Sequence, residues 1–204
     1  MNRNINCPCG KNFIIEAAVE FDLDAVPDTI KRICDGTFMS FDCPLCGKKQ
    51  KPEYNITLLW KSKNYRFEIL TELERAGFYH RKRKSIGIET IIGYREMADR
   101  IGVINDGLEP LAVETLKFYS LAKAGETYPD FNISAWYQGS DSQFVKFYLD
   151  GIKEGEVALM NIPRAVYDKT LIDIRKHPKD EIYTSLRCRS YLSVQNVFKP
   201  DGLK

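Results

Sequence analysis

Cysteines are the residues of this chain best suited to chemistry, and four of the six occur in two short motifs. The first motif is Cys7-Pro8-Cys9-Gly10 and the second is Cys43-Pro44-Leu45-Cys46-Gly47. Four thiolates satisfy the tetrahedral coordination of one zinc ion, with Zn–S distances of about 2.3 Å. The two motifs therefore predict a single structural Zn²⁺ whose ligands are Cys7, Cys9, Cys43 and Cys46.

The two motifs differ in spacing, and only the second has the two intervening residues typical of a zinc knuckle. There Pro44 fixes φ, and Gly47 can take the positive φ of a tight turn. In the shorter motif Cys7 and Cys9 still reach one ion, because side chains two apart in an extended strand point to the same side. Two alternatives stay open: four reduced thiols without a metal, or an N-terminal pair that is disordered. A redox role for the second pair alone is disfavoured, since a thioredoxin-like motif requires a βαβ context.

The cysteine motifs belong to a longer pattern that resembles a known family. Between them lie Pro27-Asp28-Thr29-Ile30-Lys31-Arg32-Ile33 and Gly36, and further on come Asn105-Asp106-Gly107-Leu108-Glu109-Pro110 and Val113-Glu114-Thr115-Leu116-Lys117. In this order the residues resemble the CpXC family of bacterial and archaeal proteins, although the first motif lacks its middle residue. The resemblance covers most of the first 120 residues. It implies paired zinc-binding cysteines and no known activity.

Length and composition indicate a folded protein without a membrane span. The 204 residues are 44% hydrophobic and carry a formal net charge of +2, which allows one large domain or two small ones. No apolar run approaches the roughly 18 residues that span a bilayer, and the start has no apolar signal region. We therefore expect a cytoplasmic protein, where six cysteines at these spacings favour metal over disulfides. Composition and pattern place a domain boundary between residues 1–93 and 94–204.

The elements that position the cysteines are predicted to be mainly β-strands. Apolar residues alternate from Asn12 to Leu23, which predicts one strand, and Pro27 opens a short helix that stops at Gly36. Cys34 falls on the apolar side of that helix and is interpreted as a buried hydrophobe. Residues 53–60 and 65–70 predict a hairpin. The N-terminal part is thus a zinc-ribbon-like β domain with an inserted short helix.

The remainder predicts an α+β C-terminal half. A helical hairpin turns at Asn105-Asp106-Gly107, three strands form an antiparallel meander over residues 131–162, and Pro163 starts another helix. A helix-turn-helix that binds DNA is disfavoured. Its second helix would present a face of mixed charge to the phosphates, made of Glu109, Glu114, Lys117, Ser120 and Lys123.

A basic region extends from Lys48 to Lys84, with eleven Lys and Arg against four Asp and Glu, a local net charge of +7. Aromatic residues alternate with these charges, namely Tyr54, Trp60, Tyr65, Phe67, Phe78 and Tyr79. One interpretation is a nucleic-acid surface with stacking aromatics. The other is a solvated loop with strand aromatics packed inward. The candidate nucleic-acid-binding residues are Lys61, Lys63, Arg81, Lys82, Arg83 and Lys84.

Residues typical of catalysis do not form a recognisable motif. His80 lies in the basic region and His177 precedes a proline, without the sequence context of a general base. Four thiolates also saturate zinc, whereas a hydrolytic zinc keeps one position for water. We therefore expect a non-enzymatic zinc-binding interaction module with a protein partner. Nucleic-acid binding is the alternative, and a metalloenzyme requires that Cys7 or Cys9 does not bind.

Overall fold

The computed structural model describes residues 2–80, 87–130, 132–153 and 155–198 of the chain. The chain divides into two compact units, Met1–Ala98 and Asp99–Lys204, which we call the N-terminal and C-terminal units. Both contain helices and strands, so the α+β class expected from the sequence is confirmed. Arg81–Lys84, which include four of the candidate nucleic-acid-binding residues, lie outside the described residues.

The N-terminal unit contains short strands and helices. In chain order these are β1 (Asn2–Asn6), β2 (Asn12–Glu16), β3 (Glu20–Asp22), α1 (Asp28–Cys34), β4 (Phe41–Asp42), β5 (Lys49–Gln50), β6 (Ile56–Trp60), β7 (Tyr65–Leu70), α2 (Arg75–His80) and β8 (Glu89–Ile92). Helix α3 (Tyr94–Asn105) follows and carries the boundary between the units. Strands β1 and β2 form one antiparallel hairpin, and β4 and β5 form a second.

Four strands of this unit lie side by side in the order β8-β7-β6-β3. The β6–β7 hairpin predicted from the sequence is present, and it is antiparallel. Both outer neighbours are parallel, β3 to β6 and β8 to β7. Parallel neighbours require a crossover, and residues 71–88, which include α2, connect β7 to β8. The hairpin places Leu58, Phe67 and Ile69 in the core, fully buried.

Two expectations for this unit are wrong. The single strand from Asn12 to Leu23 is instead β2 and β3, which belong to different sheets. Burial does not alternate across the break: Ala17 and Leu23 are buried, but Val19 between them is exposed. Cys34 is also exposed, because the last residue of the two-turn α1 lies beyond the buried face formed by Thr29 and Ile33.

The C-terminal unit begins within α3 and continues through two long helices and a three-stranded sheet. Its elements are α4 (Pro110–Thr127), β9 (Ser134–Ser140), β10 (Phe144–Lys153), β11 (Glu156–Pro163), α5 (Arg164–Lys176), α6 (Glu181–Ser185), β12 (Arg187–Cys188) and β13 (Tyr191–Leu192). The strands β9, β10 and β11 form the predicted antiparallel meander, with Leu149 opposite Ala135 on one side and Ala158 on the other. Strands β12 and β13 pair antiparallel.

Turn residues set the helix limits where the sequence predicted them. Helix α3 stops at Gly107, whose φ is +71°. The N–H of Gly107 donates to Ile104 O and that of Leu108 to Val103 O, which is a Schellman motif. Pro110 occupies the first turn of α4, and Pro163 immediately precedes α5. These helices pack on the meander through a core that includes Val113, Leu116, Val145, Phe147 and Tyr167.

Helix α4 does not have the charged outer face that the sequence predicted. Every residue from Ala112 to Lys117 is buried, and Glu114 and Lys117 retain only 4% and 3% of their accessible surface. Tyr119, two positions after Lys117, is exposed. Glu114 and Lys117 of the mixed-charge face that argued against DNA binding are therefore part of the interior, whereas Glu109 and Lys123 are exposed. Within the described residues, no helix combines the length and apolar character needed to cross a membrane.

Candidate metal centre

The two cysteine motifs occupy the turns of the two antiparallel hairpins. Cys7 follows β1, whose last pair is Asn6 with Asn12, and Cys43 follows β4, whose last pair is Asp42 with Lys49. Both glycines that end the motifs have positive φ, +87° at Gly10 and +68° at Gly47. Glycine adopts a positive φ without strain, so the chain reverses direction directly after the second cysteine of each motif.

The two turns use the same hydrogen bonds although one is a residue shorter. The N–H of Cys7 donates to Lys11 O at 2.9 Å, and that of Cys43 donates to Lys48 O at 3.0 Å. The closing glycines donate to the first cysteine carbonyls, Gly10 to Cys7 and Gly47 to Cys43, both at 2.9 Å. The missing residue of the first motif thus tightens the turn by one position without changing its bonding pattern.

Together the turns bring four sulfurs to one place. The Sγ atoms of Cys7, Cys9, Cys43 and Cys46 all lie within 4.8 Å of one another. Cys7 Sγ lies 3.6 Å from Cys46 Sγ, and Cys9 Sγ lies 3.7 Å from Cys43 Sγ. All four are free thiols. The first cysteine of each motif is buried and the second exposed, so the cluster sits at the surface with a protected base. Such a cluster can hold a metal ion.

The shared environment perturbs two of the thiols in opposite directions. Burial opposes ionisation of Cys43, but the backbone N–H groups of Cys46 and Leu45 favour its thiolate, and the pKa falls to about 6. The N–H of Cys9 likewise favours the thiolate of Cys7, but burial and the adjacent thiols outweigh it and raise its pKa to about 12. Neighbouring sulfurs therefore do not ionise together on their own. A cation at their centre removes that repulsion.

Residues around the cluster orient it and link it to the rest of the unit. The side-chain amide of Gln50 donates to Cys7 Sγ at 3.5 Å and also to Lys48 O, as outer-shell groups do at metal sites. The first hairpin is anchored separately. The Arg3 guanidinium lies 5.0 Å from the ring centre of Tyr54, and the Tyr54 hydroxyl donates to Met39 Sδ.

Basic residues proposed for nucleic acid are not brought into such a cluster by the described structure. Lys61 donates to Asp22 Oδ2 at 2.6 Å, an ion pair that also lowers the pKa of Asp22, while Lys63 is exposed. Most of the aromatics interleaved with the basic residues are in the core, which favours the interpretation that they pack inward. The buried ones are Tyr54, Trp60, Phe67 and Phe78, and the half-buried Tyr65 stacks on Phe67 at 5.2 Å.

The C-terminal unit contains a buried charge network that the sequence did not indicate. Lys117 Nζ donates to Asp99 Oδ2 at 2.5 Å and to Glu114 Oε1 at 2.7 Å. Arg100 approaches Glu114 to 4.0 Å and donates to Leu192 O at 2.6 Å. Two carboxylates thus face two cations, and we call these four residues, Asp99, Arg100, Glu114 and Lys117, the buried charge network.

Backbone groups complete the network. Asp99 Oδ1 accepts from the N–H of Tyr137 at 2.5 Å, and Glu114 Oε2 accepts from that of Val194 at 2.7 Å. Burial raises the pKa of Asp99 despite the adjacent Lys117. Burial also acts on Glu114, but there Lys117 and Arg100 prevail and the pKa is lowered. The i, i+3 spacing of Glu114 and Lys117 was the available signal, although it is equally typical of a surface pair.

The geometry defines an α+β protein whose N-terminal hairpins carry a cluster of four cysteines that can hold a metal ion. Residues 5–117, just over half of the chain, match the family described as CpXC protein, and the chain belongs to this family. The resemblance seen in the cysteine motifs is thereby confirmed. A protein of Treponema pallidum (strain Nichols), described as uncharacterized, is 28% identical over 215 residues, which span 95% of this chain and 97% of that relative. No solved structure matches the chain.

Proposed function

We propose that the four cysteines bind one structural Zn²⁺, which joins the two hairpins into a zinc-ribbon-like fold. The spacing of the sulfurs carries this proposal. In a regular tetrahedron with metal–sulfur bonds of about 2.3 Å, sulfurs are separated by about 3.8 Å. The separations between Cys7 and Cys46 and between Cys9 and Cys43, 3.6 and 3.7 Å, fit that value. They are far longer than a disulfide bond of about 2.05 Å.

The donor set favours zinc among the metals that accept four thiolates. Zinc has no redox chemistry and no geometric preference of its own, so it suits a site whose task is to hold two turns together. Iron is the competing ion for a four-sulfur site, and elemental analysis separates the two. Short hairpins such as β4–β5, with two residues a strand, gain most from such a link.

We further propose that the protein is non-catalytic and acts through a protein partner. Four sulfur ligands leave zinc no position for a reacting water. The histidines have positions typical of helix ends: His80 is the last residue of α2, and His177 caps α5. Binding of a protein partner is the simplest role for a small domain whose closed metal site only stabilises its fold.

Elemental analysis and X-ray absorption of the purified full chain test the metal proposal. We expect one zinc per chain with four sulfur neighbours at about 2.3 Å. Three sulfurs and one oxygen would instead support an open, enzyme-type site. Iron in place of zinc, two disulfides, or no metal in protein purified without chelator would contradict the proposal.

The partner proposal has a separate test. Chemical cross-linking in native cells, followed by mass spectrometry, should connect this chain to a protein, and the link should weaken in a Cys43→Ser variant. If the chain is instead retained on RNA or DNA in a salt-dependent manner, and Lys82→Glu with Arg83→Glu abolishes that retention, nucleic acid is the partner. Such a result would overturn the protein-partner proposal.

A further inference from the structure

A cleft of about 620 Å³ opens in the C-terminal unit, remote in sequence from the four clustered cysteines. Helix α4 contributes one wall, α5 another, and strand β11 and helix α6 complete it. Sites for small molecules are typically clefts of about 300–1,000 Å³ with apolar linings and a few polar groups. The cleft therefore has the size of a ligand site.

The floor of the cleft is apolar and continuous with the core. Leu116 belongs to the core cluster, and Met160 and Ile162 of β11 pack against it. Val166 forms part of the wall and is 44% exposed. An apolar body placed on these side chains would remove their surface from water, which is favourable by about 25 cal/mol per Å² buried.

The rim of the cleft is polar, and the hydroxyl groups of Ser120, Thr170 and Tyr183 already donate hydrogen bonds within the protein. Ser120 Oγ donates to Leu116 O at 2.7 Å and Thr170 Oγ1 donates to Val166 O at 2.9 Å. The hydroxyl of Tyr183 donates to Asp173 Oδ2. Burial and this carboxylate together raise the pKa of Tyr183, so the phenol stays protonated.

Two lysines and the hydroxyl of the exposed Tyr119 remain as donors for a ligand, and of these only the lysines are cationic. Lys123 lies on α4, one turn beyond Ser120, and Lys169 lies on α5, one turn beyond Val166. Both are exposed, and within the part of the chain that the structure describes neither forms an ion pair. The rim thus offers two positive charges against the single negative charge of Asp173, which is already bonded to Tyr183.

We propose that this cleft binds a small amphipathic anion. Its apolar body would lie on Leu116, Met160 and Ile162, and its anionic head group would bind Lys123 and Lys169. Ammonium groups act as point charges and accept either a carboxylate or a phosphate. The proposal therefore specifies an apolar chain with one anionic head, and both head groups enter the test.

Titration of the full chain with octanoate, octyl phosphate, octanol and acetate, followed by calorimetry and NMR, tests the proposal. We expect at least one octyl anion to bind at a single site, at least tenfold more tightly than octanol, with acetate not binding detectably. Comparison of octanoate with octyl phosphate identifies the preferred head group. Octanol binding as tightly as the anions would overturn the proposal, as would the absence of binding by both anions.

Variants locate the binding. Lys123→Met and Lys169→Met should each weaken binding of the octyl anion about tenfold, while the matched control Lys176→Met, in the last turn of α5, should leave it unchanged. Met160→Trp should fill the floor and abolish binding. Thermal unfolding of the lysine variants verifies that they fold, as expected for exposed positions. Equal affinity in the cleft variants and the control would contradict the assignment.

Discussion

In the N-terminal unit, four sulfurs converge on a place that can hold a metal ion from solution, whereas in the C-terminal unit two carboxylates and two cations neutralise one another. The sulfur cluster has one buried and one exposed cysteine in each motif. All four members of the buried charge network are buried. A cluster that takes up an ion from solution can lie near the surface. A cluster whose charges are neutralised by the protein's own side chains can be enclosed by the fold.

The difference makes the stability of the two regions depend on different conditions. Hairpins β1–β2 and β4–β5 are too short to be stable alone, so if the sulfurs bind the proposed metal ion, the structure of both hairpins should depend on the metal concentration and on the oxidation state of the thiols. The charge network needs no ligand, but its charges have lost their hydration and rely on one another. Metal removal should therefore destabilise the N-terminal hairpins only, and loss of one charge should destabilise the C-terminal unit only.

The largest expected effect follows from Cys43→Ser. Substitution of a residue that only hydrogen-bonds to a metal ligand typically reduces metal affinity about 10–100-fold. Loss of a ligand itself should therefore reduce the affinity by more than about a hundredfold. Amide hydrogen exchange should then become fast in residues 2–16 and 41–50, while α4 and the β9–β11 meander keep their protection. The control is Cys34→Ser, because Cys34 is exposed and outside the cluster. Equal metal content in the two variants would refute a ligand role for Cys43.

The second prediction destabilises the C-terminal unit and leaves metal binding in the N-terminal unit unchanged. Lys117→Met removes the cation that two buried carboxylates share, which should cost about 3–5 kcal/mol of unfolding free energy. Denaturant unfolding measures the loss, and the metal content should not change. Lys123→Met on the same helix is the control and should have an effect within about 0.5 kcal/mol.

A double variant sharpens this result. Adding Asp99→Asn to Lys117→Met removes one of the two carboxylates left without Lys117, so part of the lost stability should return. If the two substitutions simply add, Asp99 and Lys117 are not energetically coupled and the network does not act as a unit.

The same contrast explains what could be predicted from the sequence. Both cysteine motifs are local, with one or two residues between the cysteines and a glycine after each motif, so their pattern is visible without a fold. The charge network joins Asp99 to Lys117, 18 positions away, and its carboxylates accept from the backbone N–H groups of Tyr137 and Val194, 38 and 80 positions away. On α4, Glu114 and Lys117 have the spacing of a surface pair, and only the burial around them shows otherwise.

Helices and strands were likewise predicted correctly where the signal is local in the sequence. Pro110, Pro163 and Gly107 mark helix limits through their own backbone chemistry, and the predicted ends agree with the structure. The strand over residues 12–23 was wrong because alternation reports which side is buried but not which sheet receives the strand. Strand β8 was missed, because its four residues are too few to show a hydrophobic alternation in the sequence.

The third prediction compares glycines. Gly47→Ala places a side chain at a φ of +68°, which should cost about 1–2 kcal/mol and weaken metal binding, because the turn positions Cys43 and Cys46. Gly125→Ala is the matched substitution in the C-terminal unit. Gly125 lies inside α4 with open space around it, so alanine should stabilise the helix by about 0.5–1 kcal/mol. Thermal unfolding with metal titration measures both, and the same sign for both would contradict the backbone argument.

The smallest expected effect concerns a partly exposed ion pair in the C-terminal unit. Lys146 lies 2.6 Å from Asp141, and this contact, together with the N–H groups of Gln143 and Phe144, lowers the pKa of Asp141 to about 2. Because the ordinary value is 3.8, the contribution of Asp141 to stability is complete above about pH 4 and is lost as the pH falls toward 2. In Asp141→Asn the side-chain carbonyl still accepts the two N–H bonds, so the turn is kept while this part of the pH dependence should disappear. Unfolding curves between pH 5 and 2, at low and high salt, measure the effect, and salt should reduce it because the pair is exposed. A salt-independent loss of stability in this pH range would assign it to buried carboxylates instead.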